Sequence, residues 1–170
     1  MSDNKVVVGV FKTVAQAEVA VSRLHQAGYA REDISALLPD PAATKNFAYE
    51  QNTKAPEGAV AGGVAGATVG GTIGLLAGIG ALAIPGLGPF IAAGPIMAAL
   101  SGMAAGGAVG GMTGGLVGLG IPELEAKEYE GKIKGGSTLV SVQTTDGKSA
   151  DAAKAIFKNA GVEDVSTKSA

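Results

Sequence analysis

Few side chains in this chain have types and spacing suited to chemistry. The one histidine, His25, falls near the end of a stretch with helical spacing. There it serves as a polar surface residue or a partner for the helix C-terminal dipole rather than as a base. Glu123, Glu125, Glu128 and Glu130 crowd one short segment. A metal would need His or Asp partners beside them, and a solvated helix face with its acids at the N-terminal end is the simpler account. With no Cys, the chain has no disulfide framework, Fe–S cluster, Cys-ligated zinc or thiol nucleophile. No nucleophile–base pair, oxyanion loop or metal spacing is visible. The expectation is a non-enzyme without catalytic, metal or cofactor-binding residues and without a cofactor. Thirteen basic and fifteen acidic residues, a net charge of −2, exclude the clustered positive surface of a nucleic-acid binder.

The elements that would position any site divide the chain sharply. Residues 58–122 contain no Asp, Glu, Lys or Arg over 65 positions, so all 28 charged residues lie in the flanks. Of the 28 glycines, 21 lie in that uncharged stretch. It contains no Lys for a phosphate loop.

The flanks repeat one another. Val6, Val7, Val8, Val10 and Phe11 read as a strand. Thr13 with Gln16 then forms a capping-box pattern. Val14, Ala17, Val21, Leu24 and Ala27 recur at helical spacing, Gly28 stops the helix, and a second strand covers residues 34–38. The last flank follows the same plan: a strand at 138–143, an Asp146-Gly147 turn, and a helix capped by Ser149 and stopped by Gly161. A final strand lies around Val165. Asp33-Ile34-Ser35 matches Asp164-Val165-Ser166. Two such halves predict an α+β fold, a ferredoxin-like βαββαβ head with a four-stranded antiparallel sheet and two helices on one face. The expected divisions are residues 1–38 for the first half of the head, 39–57 for a linker, and 58–121 for the uncharged segment. A connecting helix at 122–136, with Pro122 in its first turn, and the second half at 137–170 complete them.

Within the uncharged segment glycines recur every fourth residue: Gly58, Gly62, Gly66, Gly70, Gly74 and Gly78, then Gly102, Gly106, Gly110, Gly114 and Gly118. Pro85, Gly86, Gly88 and Pro89 mark a turn between the two rows. This predicts a long helical hairpin inserted between strands 2 and 3 of the head. Each arm is roughly 40 Å long at 1.5 Å per residue, enough to cross a bilayer or wedge into it. Glycine every four residues is a poor helix in water, at roughly 1 kcal/mol per Gly, whereas in lipid it lets helix backbones approach closely. Parallel partial rows at Gly63, Gly71, Gly107, Gly111 and Gly115 exceed what one intramolecular partner covers, so the expected partners are further copies of the chain and a lipid membrane. Glu57 and Glu123 bracket the segment, and Phe47, Tyr49 and Tyr129 flank it, either at a membrane–water boundary or in ordinary packing. Gly9 inside the first strand marks a close backbone approach or a bulge.

On Gln16-Ala17-Glu18, Leu24 with Gly28-Tyr29, Ile84-Pro85-Gly86-Leu87-Gly88-Pro89, Ala92-Ala93-Gly94-Pro95 and Gly118-Leu119-Gly120-Ile121-Pro122-Glu123, the chain resembles bacterial heat-induced general stress proteins. It is similar in particular to the low-temperature-induced protein-like group with a glycine-zipper hairpin. The resemblance spans nearly the whole chain and implies a stress-associated, often membrane-associated protein with no catalytic motif to transfer. The functional expectation is a non-enzymatic, structural or protective homo-oligomer in or on a membrane. With no secretory signal in its opening residues, its head and both termini are expected in the cytoplasm, at the inner membrane. Two alternatives stay open: a regulatory ligand- or protein-binding head anchored by the hairpin, using Ser35, Ser141 and Gln143 on an open sheet face, or a soluble shell or filament with the hairpins buried in the assembly.

Overall fold

The computed structural model describes residues 4–39, 80–84, 88–96, 100 and 111–169. The fold is α+β. Strand β1 (Lys5–Phe11) is buried on both faces, as its run of valines requires of a strand covered twice. Helix α1 (Val14–Gln26) starts at Thr13, whose hydroxyl accepts from Gln16 N–H at 3.2 Å. It ends at Gly28 with φ +96°, a left-handed conformation in which Gly28 N–H reaches His25 C=O and Tyr29 N–H reaches Leu24 C=O. After a 3₁₀ turn (Arg31–Asp33) the chain enters β2 (Ile34–Pro39).

Two strands and two helices then come from the uncharged stretch and its C-terminal border. They are β3 (Gly80–Ile84), β4 (Gly88–Ala93), α2 (Gly111–Gly118) and α3 (Glu123–Lys134). The second repeat closes the fold as β5 (Thr138–Thr144), α4 (Gly147–Asn159) and β6 (Asp164–Ser169). Six strands form one sheet in the order β3-β4-β2-β5-β1-β6, and every neighbouring pair is antiparallel.

Several expectations shift. The last helix is capped by Asp146, two residues before its second helical position; the carboxylate accepts from Ser149 N–H at 2.8 Å and from Ser149 Oγ at 2.9 Å. A carboxylate is the stronger acceptor, so it caps the helix and Ser149 falls inside. Pro122 stands at the N-cap of α3, just outside the first turn. The larger correction concerns residues 80–84 and 88–93. They form an antiparallel strand pair, with Ile84 opposite Gly88, where a helical hairpin was expected. Gly88 and Pro89 therefore lie in β4, while Pro85 and Gly86 lie outside the described residues. The reason is competition for backbone hydrogen bonds. β2 offers an open edge, β4 pairs along it from Ala36↔Ala93 to Pro39↔Phe90, and Phe90, Ile91 and Ala92 are buried as strand residues. A glycine-weakened helix has no comparable gain outside lipid.

The sheet is covered on both faces. α1 and α4 bury Val7, Phe11, Ile34, Ala36, Val140 and Val142 on one side, with Phe11 and Phe157 packed edge to face at 5.6 Å. On the other side Val6, Val8, Val10, Leu37 and Leu139 meet Ile96, Met112, Leu116, Ala126, Tyr129 and Ile133. Phe90, Ala92, Ile96, Leu100, Met112, Leu116 and Ile121 of the uncharged stretch are thus built into the core. Gly9 is explained on the first of these faces. A Cβ there would lie 2.7 Å from Phe157 Cδ2, so the close approach is made by an aromatic ring, and no bulge interrupts the pairing of Gly9 with Val140 and Val165.

Candidate functional site

Three places on the molecule carry polar or unsatisfied surface, and each is built by a different part of the sequence. The first is the outer side of α2. Met112, Gly115 and Leu116 face the core, Gly114 is half-buried and Gly118 is exposed. A Cβ added at Gly118 would meet nothing within 4 Å. Val117 beside it is 42% exposed. The helix is uncharged and holds the last two members of the glycine series, Gly118 outward and Gly114 partly covered. Gly58, Gly62, Gly66, Gly70, Gly74, Gly78, Gly102, Gly106 and Gly110 lie outside the described residues, as do Phe47, Tyr49 and Glu57.

The second place is the seam between α3 and β6. Tyr129 is wholly buried, so it does not stand at an outer boundary; its hydroxyl donates to the Glu125 carboxylate and lies 2.9 Å from Ser166 Oγ. Lys168 reaches the other oxygen of Glu125 at 2.7 Å, and Lys132 bonds Asp164 at 3.1 Å. Burial pushes Tyr129 up, and its bond to Glu125 adds to that. Burial pulls Glu125 upward too, but the bonds from Lys168, Ser166 and Tyr129 outweigh it and hold the carboxyl below its ordinary value. Glu130 behaves likewise: burial raises it, while Thr113 and Lys134 hold it low. Thr113 bonds Glu130 through both its N–H and its hydroxyl, tying α2 to α3. Glu123 and Glu128 make solvent-screened pairs with Lys127 and Lys132 one turn along the same helix. Of the four glutamates, Glu125 ties α3 to β6 and Glu130 ties it to α2, while Glu123 and Glu128 pair within the helix. Among the described residues no three His, Cys, Asp or Glu side chains are grouped to hold a metal.

The third place is a cleft of about 510 Å³ where the start of β1, the end of β5 and the turn before β2 meet the end of α2. Gln143 lines it, exposed, beside Lys5 and Asp33. Ser35 and Ser141, expected on an open face together with Gln143, are 1% and 3% exposed beneath the second helical layer. Ser35 Oγ accepts from Ile96 N–H at 3.3 Å, which caps the helical residues that follow Gly94. The open-face binding site is therefore corrected: that face is closed by the chain itself, leaving only its rim. His25 has its ordinary value lowered by burial and by Arg31, and its Nε2 has no hydrogen-bond partner among the described residues.

The α3–β6 seam left a signal in the sequence that pattern reading passed over: Asp164, Ser166 and Lys168 alternate along one face of a strand otherwise read only for Val165. The cleft left none, because Asp33 and Gln143 meet only through the pairing of β2 with β5 and of Val6 with Gln143. Among the described residues no helix is long and apolar enough to cross a membrane. Compared with protein-family models, curated proteins and solved structures, the chain matches none.

Proposed function

We propose that this chain is a non-enzymatic, stress-associated protein that assembles with copies of itself through its uncharged glycine-rich stretch, in contact with a lipid surface, in a structural or protective role. One observation carries the reading: α2 turns Gly118 and Val117 outward, with open space where a Cβ at Gly118 would stand. Had the four-residue glycine series served only packing within one chain, its last member would be expected against a neighbouring backbone. An open small-residue position at the end of such a series instead suits the close approach of a second helix. The head is read as ferredoxin-like. The order β2-β5-β1-β6, with α1 and α4 on one face, supports that reading, β3 and β4 being an addition beyond β2.

The test is sedimentation velocity and vesicle flotation on the full chain, on Gly118→Leu, and on a Gly66→Leu, Gly70→Leu, Gly74→Leu triple variant. The expected result is a wild-type oligomer that floats with anionic vesicles and dissociates in both variants while the head keeps its far-ultraviolet spectrum. An unchanged oligomer in both variants would remove the glycine row from the explanation. Assembly without flotation would transfer the reading to a soluble shell or filament.

A further inference from the structure

The last strand forms one edge of the sheet, and none of its residues belongs to the glycine row. β6 pairs with β1 on one side, and among the described residues no strand pairs with it on the other. The internal repeat makes that informative. Asp33-Ile34-Ser35, leading into β2, corresponds to Asp164-Val165-Ser166 of β6. β2 has β5 on one side and antiparallel β4 on the other. Its counterpart lacks the second neighbour. β6 runs along β1 for six residues without a bulge or a proline. Such a strand presents a regular row of backbone donors and acceptors, which natural sheets seldom leave bare. Its two faces are already occupied. Val165 packs on the first core, while Asp164, Ser166 and Lys168 meet Lys132, Tyr129 and Glu125 of α3.

The charges along this edge select its partner. A lysine on an edge strand ordinarily discourages pairing, but here the counter-charge stands four residues away on the same strand. When β6 meets itself antiparallel with Ser166 opposite Ser166, Asp164 faces Lys168 at both ends and Val165 faces Thr167. Parallel pairing in register sets lysine beside lysine and aspartate beside aspartate. We propose that β6 joins two copies of this chain edge to edge, antiparallel about Ser166, in one continuous sheet. The contact is isologous and closes on a twofold axis. Asp164 of each copy then lies between its own Lys132 and the other copy's Lys168. The row Glu125, Lys168, Asp164, Lys132 alternates in sign from one copy to the next.

Oxidative cross-linking and sedimentation velocity on the full chain test this, with and without Gly118→Leu, which breaks the glycine row. Ser166→Cys sets two thiols at directly opposed positions, roughly 5 Å apart between Cα atoms, within reach of a disulfide. The chain has no other Cys, and a covalent dimer is expected in both backgrounds. Ser169→Cys sets its two thiols roughly 20 Å apart, at about 3.4 Å per residue, and should not cross-link. The Gly118→Leu chain is expected to sediment as a dimer. Within it, Lys168→Glu and Asp164→Lys each oppose like charges at both ends and should each weaken the dimer at least tenfold. Mixed one to one, these two variants carry complementary edges and should recover a mixed dimer. Recovery separates the interface from the ion pairs lost within each chain, which mixing does not restore. A monomeric Gly118→Leu chain, no cross-link at position 166, equal cross-linking at 169, or no recovery on mixing overturns the proposal and leaves the edge to a strand of another protein. If Gly118→Leu keeps the full-size assembly, the glycine row fails, and the cross-link at position 166 still decides the β6 edge.

Discussion

The two faces of the sheet are closed by different kinds of chain. α1 and α4 come from the charged flanks, have strong caps at Thr13 and Asp146, and bury an aromatic pair. The opposite face is closed by Ile96, Leu100, α2 and α3, drawn from the uncharged stretch and its border, and fastened at its outer side by ion pairs and a buried tyrosine. Both faces are apolar inside. They differ in what holds their rims, and so in which conditions loosen them. The first face rests on packing and on its helix caps, where the Asp146 carboxylate, held below its ordinary value by its bonds to Ser149, is the acid-sensitive group. The second adds carboxylates whose bonding is lost in acid.

Substitutions can break this comparison or sharpen it. The largest effect is expected at Gly94, which turns the chain from β4 toward the second face. Its φ is +74° and a Cβ would stand 2.2 Å from the Ile34 carbonyl oxygen. Gly94→Ala should cost about 3 kcal/mol or more in urea denaturation. A loss below 1 kcal/mol would show that this turn has room to move.

Next comes Gly9→Ala on the first face, where Phe157 must shift against Phe11. A loss of about 2 kcal/mol, equal at neutral and acid pH, is expected from overpacking. Equality across pH is the part that separates the faces.

On the second face, Tyr129→Phe removes the hydroxyl between Glu125 and Ser166 and should cost about 1–2 kcal/mol at neutral pH. Glu125 and Glu130 are held below the ordinary carboxylate value of 4.5. Their contribution is therefore complete above that value and is lost as pH falls through the lowered ones. Stability of the wild type should drop on acidification below about pH 4.5, and Glu125→Gln should flatten that drop. A drop of the same size in Glu125→Gln would place the acid-sensitive groups elsewhere.

The smallest effect on folding is expected at Gly118→Ala, whose new methyl meets nothing. Its stability should change by no more than about 0.5 kcal/mol, while self-association weakens measurably in sedimentation. A destabilised monomer would mean that Gly118 packs within the chain.

Much of this contrast was written in the residues. The strand–helix–strand order of each flank follows from Val6 to Phe11, from the Thr13 cap and from the helix stops at Gly28 and Gly161, all local features whose partners lie within a few positions. The site was less legible. That Gly114 and Gly118 lie one turn apart on a helix was readable from spacing. That Ser35 and Ser141 are covered was not, because the cover begins at Ile96, 61 residues after Ser35, and its identity depends on which face β4 delivers the chain to. The α3–β6 bonds also join distant segments, and a glutamate-rich helix looks the same whether its carboxylates meet water or Lys168.

By itself, then, the sequence determined the elements of the flanks, their internal repeat, the helix ends and the unbroken absence of charge over residues 58–122. These depend on propensity, capping and periodicity, which act over one or two turns. Tertiary structure alone decided that residues 80–84 and 88–93 are strands. The open edge of β2 could satisfy their backbone groups where a glycine-weakened helix would gain less. It also decided that Ile96, Leu100 and α2, from the uncharged chain after them, cover the second face. An apolar segment is buried wherever apolar surface remains uncovered, and only the assembled sheet shows where that is.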